Sequence, residues 1–245
     1  MSEIPNARRT GLARGLSKLG FCSRTQAFGL IRAGRVRLNG SPVRNPETPV
    51  RLGIDRIEVD GEKVNSAAKV YRMLNKPRGL VTTRSDDKGR KTIYSLLPEG
   101  EKWLAPVGRL DMASEGLLLL TNDSGWGARI ASPEARLEKT YHVQIDAVAG
   151  QELVDRLRQG VHTADGDLLL VKRANILRLA KKNSWLEIVL DQGKNRHIRK
   201  MLSELGIDVL RLVRVAIGSV ELGDLPKGKT RLLTDEEREA LEGKK

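Results

Sequence analysis

Four consecutive leucines, Leu117 to Leu120, sit in the stretch "GRLDMASEGLLLLTND" at residues 108–123. Successive side chains of an extended segment point to opposite faces, so this run places leucine on both and has to be buried as a core strand. Charged groups stand immediately ahead of it. Asp111 lies just before the run and Arg109 two residues earlier. A chain of 245 residues is long enough to bury such a strand in one or two domains.

The charge balance narrows the partner. There are 44 Lys+Arg against 31 Asp+Glu, a net charge of +13, which favours a polyanion: nucleic acid or an anionic membrane surface. Apolar runs are only a few residues long, too short to span a bilayer. The opening "MSEIPNARRTG" has no apolar signal region, and Cys22 is the only cysteine, so no internal disulfide or cysteine-cluster metal site is available. A cytoplasmic, basic protein that binds nucleic acid and no membrane is expected. Aromatic residues are 3% of the chain, which weighs against binding by rows of stacking rings. Phosphate contacts and shape should dominate.

Positive charge is densest at the front. Residues 1–44 carry Arg8, Arg9, Arg14, Lys18, Arg24, Arg32, Arg35, Arg37 and Arg44 against Glu3. Leu12, Leu16 and Leu19 fall at helical spacing. Ser23 with Gln26 is a capping-box pattern for a second helix that Gly34 ends. "VRLNG" reads as a strand with an Asn-Gly turn, "SPVRNPETPV" as a Pro-rich loop, and "IEVDGEKV" as a strand pair turning at Asp60-Gly61. A solvated charged surface is the bland alternative, but this αα-β module is better suited to RNA or DNA. "NSAAK", residues 65–69, reads as a linker.

A larger unit follows. "VYRMLNKPRGLVTT" is a strand and a Pro/Gly loop, "WLAPVG" and "GLLLLT" are strands flanking Arg109 and Asp111, and "KTYHVQIDAV" is an alternating strand. "GQELVDRLRQG" is a helix stopped by Gly160. "DLLLVKRANILRLA" and "SWLEIVL" are strands, "DQGKNR" a loop, "HIRKMLSELG" a helix ending at Gly206, and "VLRLVRVAIGSVEL" a strand pattern. Thr234 and Glu237 form a capping box for a last helix. Strands outnumber helices without regular alternation, so the class is α+β with a mixed sheet.

No Walker loop, Rossmann glycine pattern, HExxH or GxSxG occurs, and His142, His162 and His197 lack metal-ligand spacing. What remains is a carboxylate among bases. From spacing alone Asp111 is either a reactive group or a turn cap paired with Arg109. Lys194, Arg196, Arg199 and Lys200 form either a solvated basic face or a phosphate clamp at a helix N-terminus. Tyr141 alternates with His142 and is either a half-buried strand aromatic or part of a site.

"LNKPRGLV", "VGRLDMASEGLLLLTND", "EKTYHV" and "DQGKNRHIRKMLSELG" together resemble the ribosomal RNA pseudouridine synthases of the RsuA/RluB type. "LARGLSKLGFCSRTQAFGLIRAGRVRLNG" resembles the alpha-L RNA-binding domain that precedes their catalytic domain. The likeness runs from about residue 10 to residue 232. Gly11 and Gly15 depart from it, standing where the family has an arginine and a bulkier residue.

The resemblance implies isomerisation of uridine within RNA, breaking C1′–N1 and forming C1′–C5, with no cofactor and no metal because nothing is oxidised or transferred. It makes Asp111 the essential ionised carboxylate, nucleophile or base, with Arg199 its basic partner. Arg109 fills the space left when the base leaves its stack. Tyr141 stacks on the flipped uracil and assists proton transfer at C5. Lys76, Lys194 and Arg196 hold phosphates, and Arg14, Arg24, Arg35 and Arg37 bind RNA from the first module. Expected domains are residues 8–65 for RNA binding and 70–232 for catalysis. The expected partner of this monomer is ribosomal RNA or a ribosome-assembly intermediate, with large-subunit RNA favoured by the "KPRGLVTTRSDDKGRKT" stretch. A non-catalytic ribosome-assembly factor and a DNA-binding regulator are the alternatives.

Overall fold

The computed structural model describes residues 9–84, 86–99, 101 and 103–243. Arg8 lies outside the described residues. The chain forms two compact units. Among the described residues, the first takes 9–70 with 103–105 and 121–126, and the second takes the others.

In the first unit α1 (Leu12–Lys18) and α2 (Arg24–Arg32) pack on a small sheet. Its strands are β1 (Val36–Leu38), β2 (Ser41–Val43), β3 (Ile57–Val59) and β4 (Glu62–Lys63), in the order β2-β1-β3-β4. The Ser23/Gln26 capping box forms in both directions. The Asn39-Gly40 and Asp60-Gly61 turns both carry positive φ at both residues, as tight hairpins with right-handed twist require. Leu12, Leu16, Ala27, Ile31, Val36 and Val50 make the core. Gly15 has a packing reason: a Cβ there would lie 3.0 Å from Val50 Cγ2 and 3.3 Å from Leu52 Cδ2. The Pro-rich stretch is not simply a loop. Ser41–Val43 pairs with β1 as an edge strand, where Pro42 costs no ladder bond, and Pro49–Val50 pairs with Thr10–Gly11.

The second unit is built on a mixed sheet. Its strands are β5 (Tyr71–Lys76), β6 (Glu115–Thr121), β7 (Lys139–Ile145), β8 (Arg173–Leu179), β9 (Ser184–Leu190), β10 (Val209–Ile217) and β11 (Thr230–Leu232), in the order β8-β9-β7-β10-β6-β5-β11. β6 and β10 run parallel, while β7 is antiparallel to both β9 and β10. All seven residues of β6 are buried, as the leucine run requires. Gly116 has φ 101°, and any Cβ there would run into the Arg214 main chain, so β6 and β10 approach as closely as glycine permits. The helices are α3 (Ser124–Ala131), α4 (Gln151–Gln159), α5 (His197–Glu204) and α6 (Asp235–Leu241). Val154 and Leu157 of α4 and Ile198, Met201 and Leu202 of α5 share a core with Val143, Ile145, Leu186, Ile188 and Leu212 of the sheet. The segment "DLLLVKRANILRLA" is two strands rather than one. Leu168–Leu169 pairs with Val161–His162, and Arg173–Leu179 forms the sheet edge.

Candidate active site

The face of the sheet that carries this core changes character at one end. Along β7 the residues of one parity run Ile145, Val143, Tyr141, Lys139, and along β10 Leu212 is followed by Arg214. The apolar wall thus gives way to a polar cleft of about 450 Å³, within the range of small-molecule sites. Arg109, Asp111, Tyr141, Lys194 and Arg196, all expected site residues, line this cleft. So do Lys139, Asp191 and Arg214, which were not expected.

Asp111 begins a tight turn in which Ser114 N–H donates to the Asp111 carbonyl at 3.0 Å. Every carbonyl from Leu110 to Ser114 is held. Thr82 Oγ1 donates to Leu110 O at 2.6 Å, Gly79 N–H to Met112 O at 2.7 Å and Arg199 Nη2 to Ala113 O at 3.2 Å. Lys76 Nζ donates to both Asp111 O and Ser114 O, at 3.0 and 2.8 Å. The backbone under Asp111 is therefore fixed on both sides. Its carboxylate is half-exposed in the cleft and makes no hydrogen bond or ion pair among the described residues. A locked backbone beneath an unengaged carboxylate is preorganised to meet something that enters from outside.

One alternative is set aside here, the turn cap paired with Arg109, and the expectations for Lys76 and Arg199 are corrected. Arg109 is exposed and forms no ion pair with Asp111 among the described residues. Lys76 is 0% exposed, so it supports the Asp111 turn and is shielded from phosphate. Arg199 does not contact the Asp111 carboxylate. It bridges Ala113 O and Val209 O from behind the turn, near enough for the Asp111 charge to favour its protonated form. Burial and neighbouring Arg196 and Arg78 outweigh that and hold the guanidinium below its ordinary value.

Burial lowers Lys76 to about 8, against the opposing pull of Asp111 and Glu115. Burial would raise Glu115, but hydrogen bonds from Arg211 and Lys227 hold its carboxyl below the usual range. Lys139 is lowered by burial and next by Arg214, with Asp191 opposing. His197 is also lowered by burial, which favours the neutral ring. Lys194 pairs with exposed Asp167 at 3.0 Å. Arg196 takes a left-handed backbone at the start of α5 and has no ion pair among the described residues.

In the first unit Arg14, Arg24 and Arg37 are exposed and form no ion pair among the described residues. Arg35 differs, holding Asp60 bidentately through Nε at 2.7 Å and Nη2 at 2.5 Å. It is therefore not free to meet a phosphate without giving up that pair.

Arg214 carried no sequence signal of its own: in "VLRLVRVAIG" both parities are mostly apolar and each holds one arginine, Arg211 and Arg214, so the fold and not the pattern decides that Arg214 is the buried one. Lys139 lies in the EKTYHV motif, two residues before Tyr141, but a half-buried strand lysine carries no other mark in sequence.

Residues 70–204 match the family described as RNA pseudouridylate synthase, and residues 10–53 match the S4 domain. An uncharacterized RNA pseudouridine synthase of Aquifex aeolicus (strain VF5) is 40% identical over 91% of this chain and 89% of its own. The ribosomal large subunit pseudouridine synthase B of Bacillus subtilis (strain 168) is 34% identical over 94% of each. A crystal structure of a pseudouridylate synthase superposes with a TM-score of 0.64 at 31% identity, covering 95% of this chain and 99% of that one.

Proposed function

Because this chain belongs to the RNA pseudouridylate synthase family, we propose that it isomerises one particular uridine of large-subunit ribosomal RNA. The observation that carries the reading is the Asp111 turn, with every carbonyl from Leu110 to Ser114 anchored and its carboxylate open to the cleft. The subunit assignment is supported by the name of the Bacillus relative.

The target uridine leaves its stack, since C1′ and the ring are inaccessible inside a helix. Its base enters the cleft, and Arg109, exposed at the rim, occupies the vacated space. Tyr141 stacks on the ring. Asp111 acts on the sugar or the ring as nucleophile or base, the C1′–N1 bond breaks, the ring turns, and C1′–C5 forms. Arg199 and Lys76 fix the turn that carries Asp111. Arg196, and Lys194 once it releases Asp167, hold phosphates of the flanking nucleotides. Arg14, Arg24 and Arg37 supply affinity from the S4 domain. No cofactor is needed because the product is an isomer of the substrate. The protein works as a cytoplasmic monomer on ribosomal RNA or an assembly intermediate.

A binding-only assembly factor on the same scaffold is disfavoured, because RNA affinity alone does not call for a carboxylate exposed on a locked turn among phosphates. The deciding experiment maps pseudouridines across ribosomal RNA in cells with and without the protein. The expected result is loss of one large-subunit pseudouridine, restored by the wild-type gene and not by Asp111→Asn. An unchanged map rejects the proposal.

A further inference from the structure

Arg214 is 6% exposed, yet it is a wall of the cleft that holds Asp111. In the antiparallel ladder of β7 and β10 its register partner is Tyr141. Directly opposed residues carry their side chains on one face, with Cβ atoms about 4.5–5.5 Å apart. The arginine and the tyrosine thus stand side by side, and the tight packing of β6 on the Arg214 main chain at Gly116 fixes the arginine's backbone.

The guanidinium is poorly satisfied. Its Nε donates to Leu117 O at 2.8 Å, using one of the five N–H donors of an arginine. Nη2 is fully buried and has no acceptor. The surroundings add a second cation, Lys139, on the same side of β7 as Tyr141, and the two disfavour one another. A buried charged donor without an acceptor opposes folding, as do two like charges in one half-buried place. The arrangement is that of a site that receives an acceptor able to carry negative charge. Lining the cleft beside the proposed stacking tyrosine, it is placed to meet the edge of a ring that Tyr141 covers.

We infer that Arg214 is a catalytic residue, donating to a ring carbonyl oxygen of the flipped uracil and bearing the charge that develops there. The inference rests on the isomerase reading above. When C1′–N1 breaks, the electron pair leaves with N1 and spreads over O2 and O4 of the ring. A fixed donor in a water-poor site stabilises that charge without having to reorganise. When C1′–C5 forms, C5 gives up its hydrogen as a proton and N1 gains one, so nothing enters or leaves. The requirement holds whichever way Asp111 acts: attack on the sugar or removal of a sugar proton releases the uracil as an anion, and attack on the ring at C6 puts the charge on the C4–O4 enolate. If O4 is the acceptor, the site also rejects cytosine, whose amino group there is a donor facing a donor.

The test is single-turnover isomerisation of a ribosomal RNA fragment carrying uridine, 2-thiouridine or 4-thiouridine at the target, with the parent, Arg214→Lys and Arg214→Met. Sulfur is a weaker acceptor than oxygen. The expected result is that one thio substitution slows the parent severalfold or more, and its identity names O2 or O4. Arg214→Met should slow the uridine reaction about 10²-fold, the scale for removing one such donor. The thio penalty should then disappear, while RNA affinity stays near the parent's. Arg214→Lys keeps the charge without the planar fork, should fall between, and carries the test if the methionine variant does not fold. An active parent with the same thio penalties in every folded variant overturns the assignment of Arg214 alone. A parent that makes no pseudouridine on unmodified RNA overturns the isomerase reading, and this inference with it.

Discussion

Lys76 lies directly beneath Asp111, its ammonium donating to the Asp111 carbonyl at 3.0 Å, to Ser114 O at 2.8 Å and to Pro77 O at 3.2 Å. Three acceptors match the three N–H groups of a protonated lysine. A phosphate-binding lysine and a supporting lysine differ in what their loss changes. Lys76→Met takes the donor from Ser114 O and Pro77 O, at about 1–3 kcal/mol each where no water replaces it, and leaves Asp111 O with Ser114 N–H. It also loosens the catalytic turn. RNA affinity and its salt dependence should be unchanged, while the rate at saturating RNA falls by roughly one to two orders of magnitude. If the salt slope drops by about 0.7–0.9 instead, Lys76 does reach a phosphate.

The same lysine sets a pH dependence of folding. Its pKa is about 8 in the folded protein against 10.5 for an unperturbed lysine. Between those values the unfolded chain binds more protons, so this group makes stability rise with pH across that window. Below 8 both states are protonated and the destabilisation it causes is constant. Lys139 is lowered too, so Lys76→Met should flatten the rise without removing it. Urea titrations of both proteins between pH 8 and pH 10.5 check this. A parent whose stability is no more pH-dependent than the variant's contradicts it.

Asp111→Asn keeps shape and removes charge. The turn is held by its carbonyls and not by the Asp111 carboxylate, so folding should be nearly unaffected. Isomerisation should vanish while RNA binding persists. Thermal unfolding, filter binding and single-turnover assays on one preparation separate the three properties. Turnover within tenfold of the parent would falsify the catalytic assignment.

The legible parts of this protein were those written in local chemistry. Ser23 with Gln26 and Thr234 with Glu237 announced their helices because a capping box is made within four residues. Asn39-Gly40 and Asp60-Gly61 announced hairpins because few other pairs tolerate two positive φ values. Helix α3 was invisible because Gly125 and Gly127 dilute its propensity, and its start is set by the Asp123 carboxylate accepting from the backbone N–H groups of Gly125 and Trp126. β11 was missed because its only warrant is pairing with β5, far away in sequence. At the site, motif resemblance picked out Asp111, Tyr141 and Arg196, which do share a cleft. It placed Lys76 on a phosphate and Arg199 on the Asp111 carboxylate, whereas both work through the backbone of the turn, because sequence gives no depth. Arg214 needed the ladder register to bring it beside Tyr141.

Arg199 therefore has a specific expected signature. It reaches the Asp111 turn through Ala113 O and reaches β10 through Val209 O. Arg199→Ala removes both links and a nearby positive charge, and should slow the chemical step by two orders of magnitude or so. Arg199→Lys keeps charge but cannot span two carbonyls with one planar group, so it should recover only part of the rate. Neither change should weaken RNA binding much. Single-turnover rates at saturating RNA provide the check, and equality of both variants with the parent rejects a positioning role.

The last expectation concerns the first unit. Residues 103–105 and 121–126 cluster with it, so excising the N-terminal module would strip support from two segments in the middle of the chain. Removing charge is the cleaner probe. Arg14, Arg24 and Arg37 are exposed and unpaired among the described residues, so a triple Arg→Gln variant should cost no more than about 0.5 kcal/mol of stability per site. If each meets one phosphate, the dependence of log affinity on log salt should flatten by about 2 to 2.7 units in total. Arg35, held by Asp60, should add less when changed to Gln, because its pair must break before it can contribute. The RNA concentration for half-maximal rate should rise steeply, while the rate at saturation stays near the parent's because Asp111, Tyr141, Arg199 and Arg214 are untouched. The measurement is a salt series of single-turnover assays with parent, triple variant and Arg35→Gln. An unchanged slope in the triple variant means that this face of the S4 domain does not touch the RNA, and a collapsed rate at saturation means that it helps to place the uridine in the cleft.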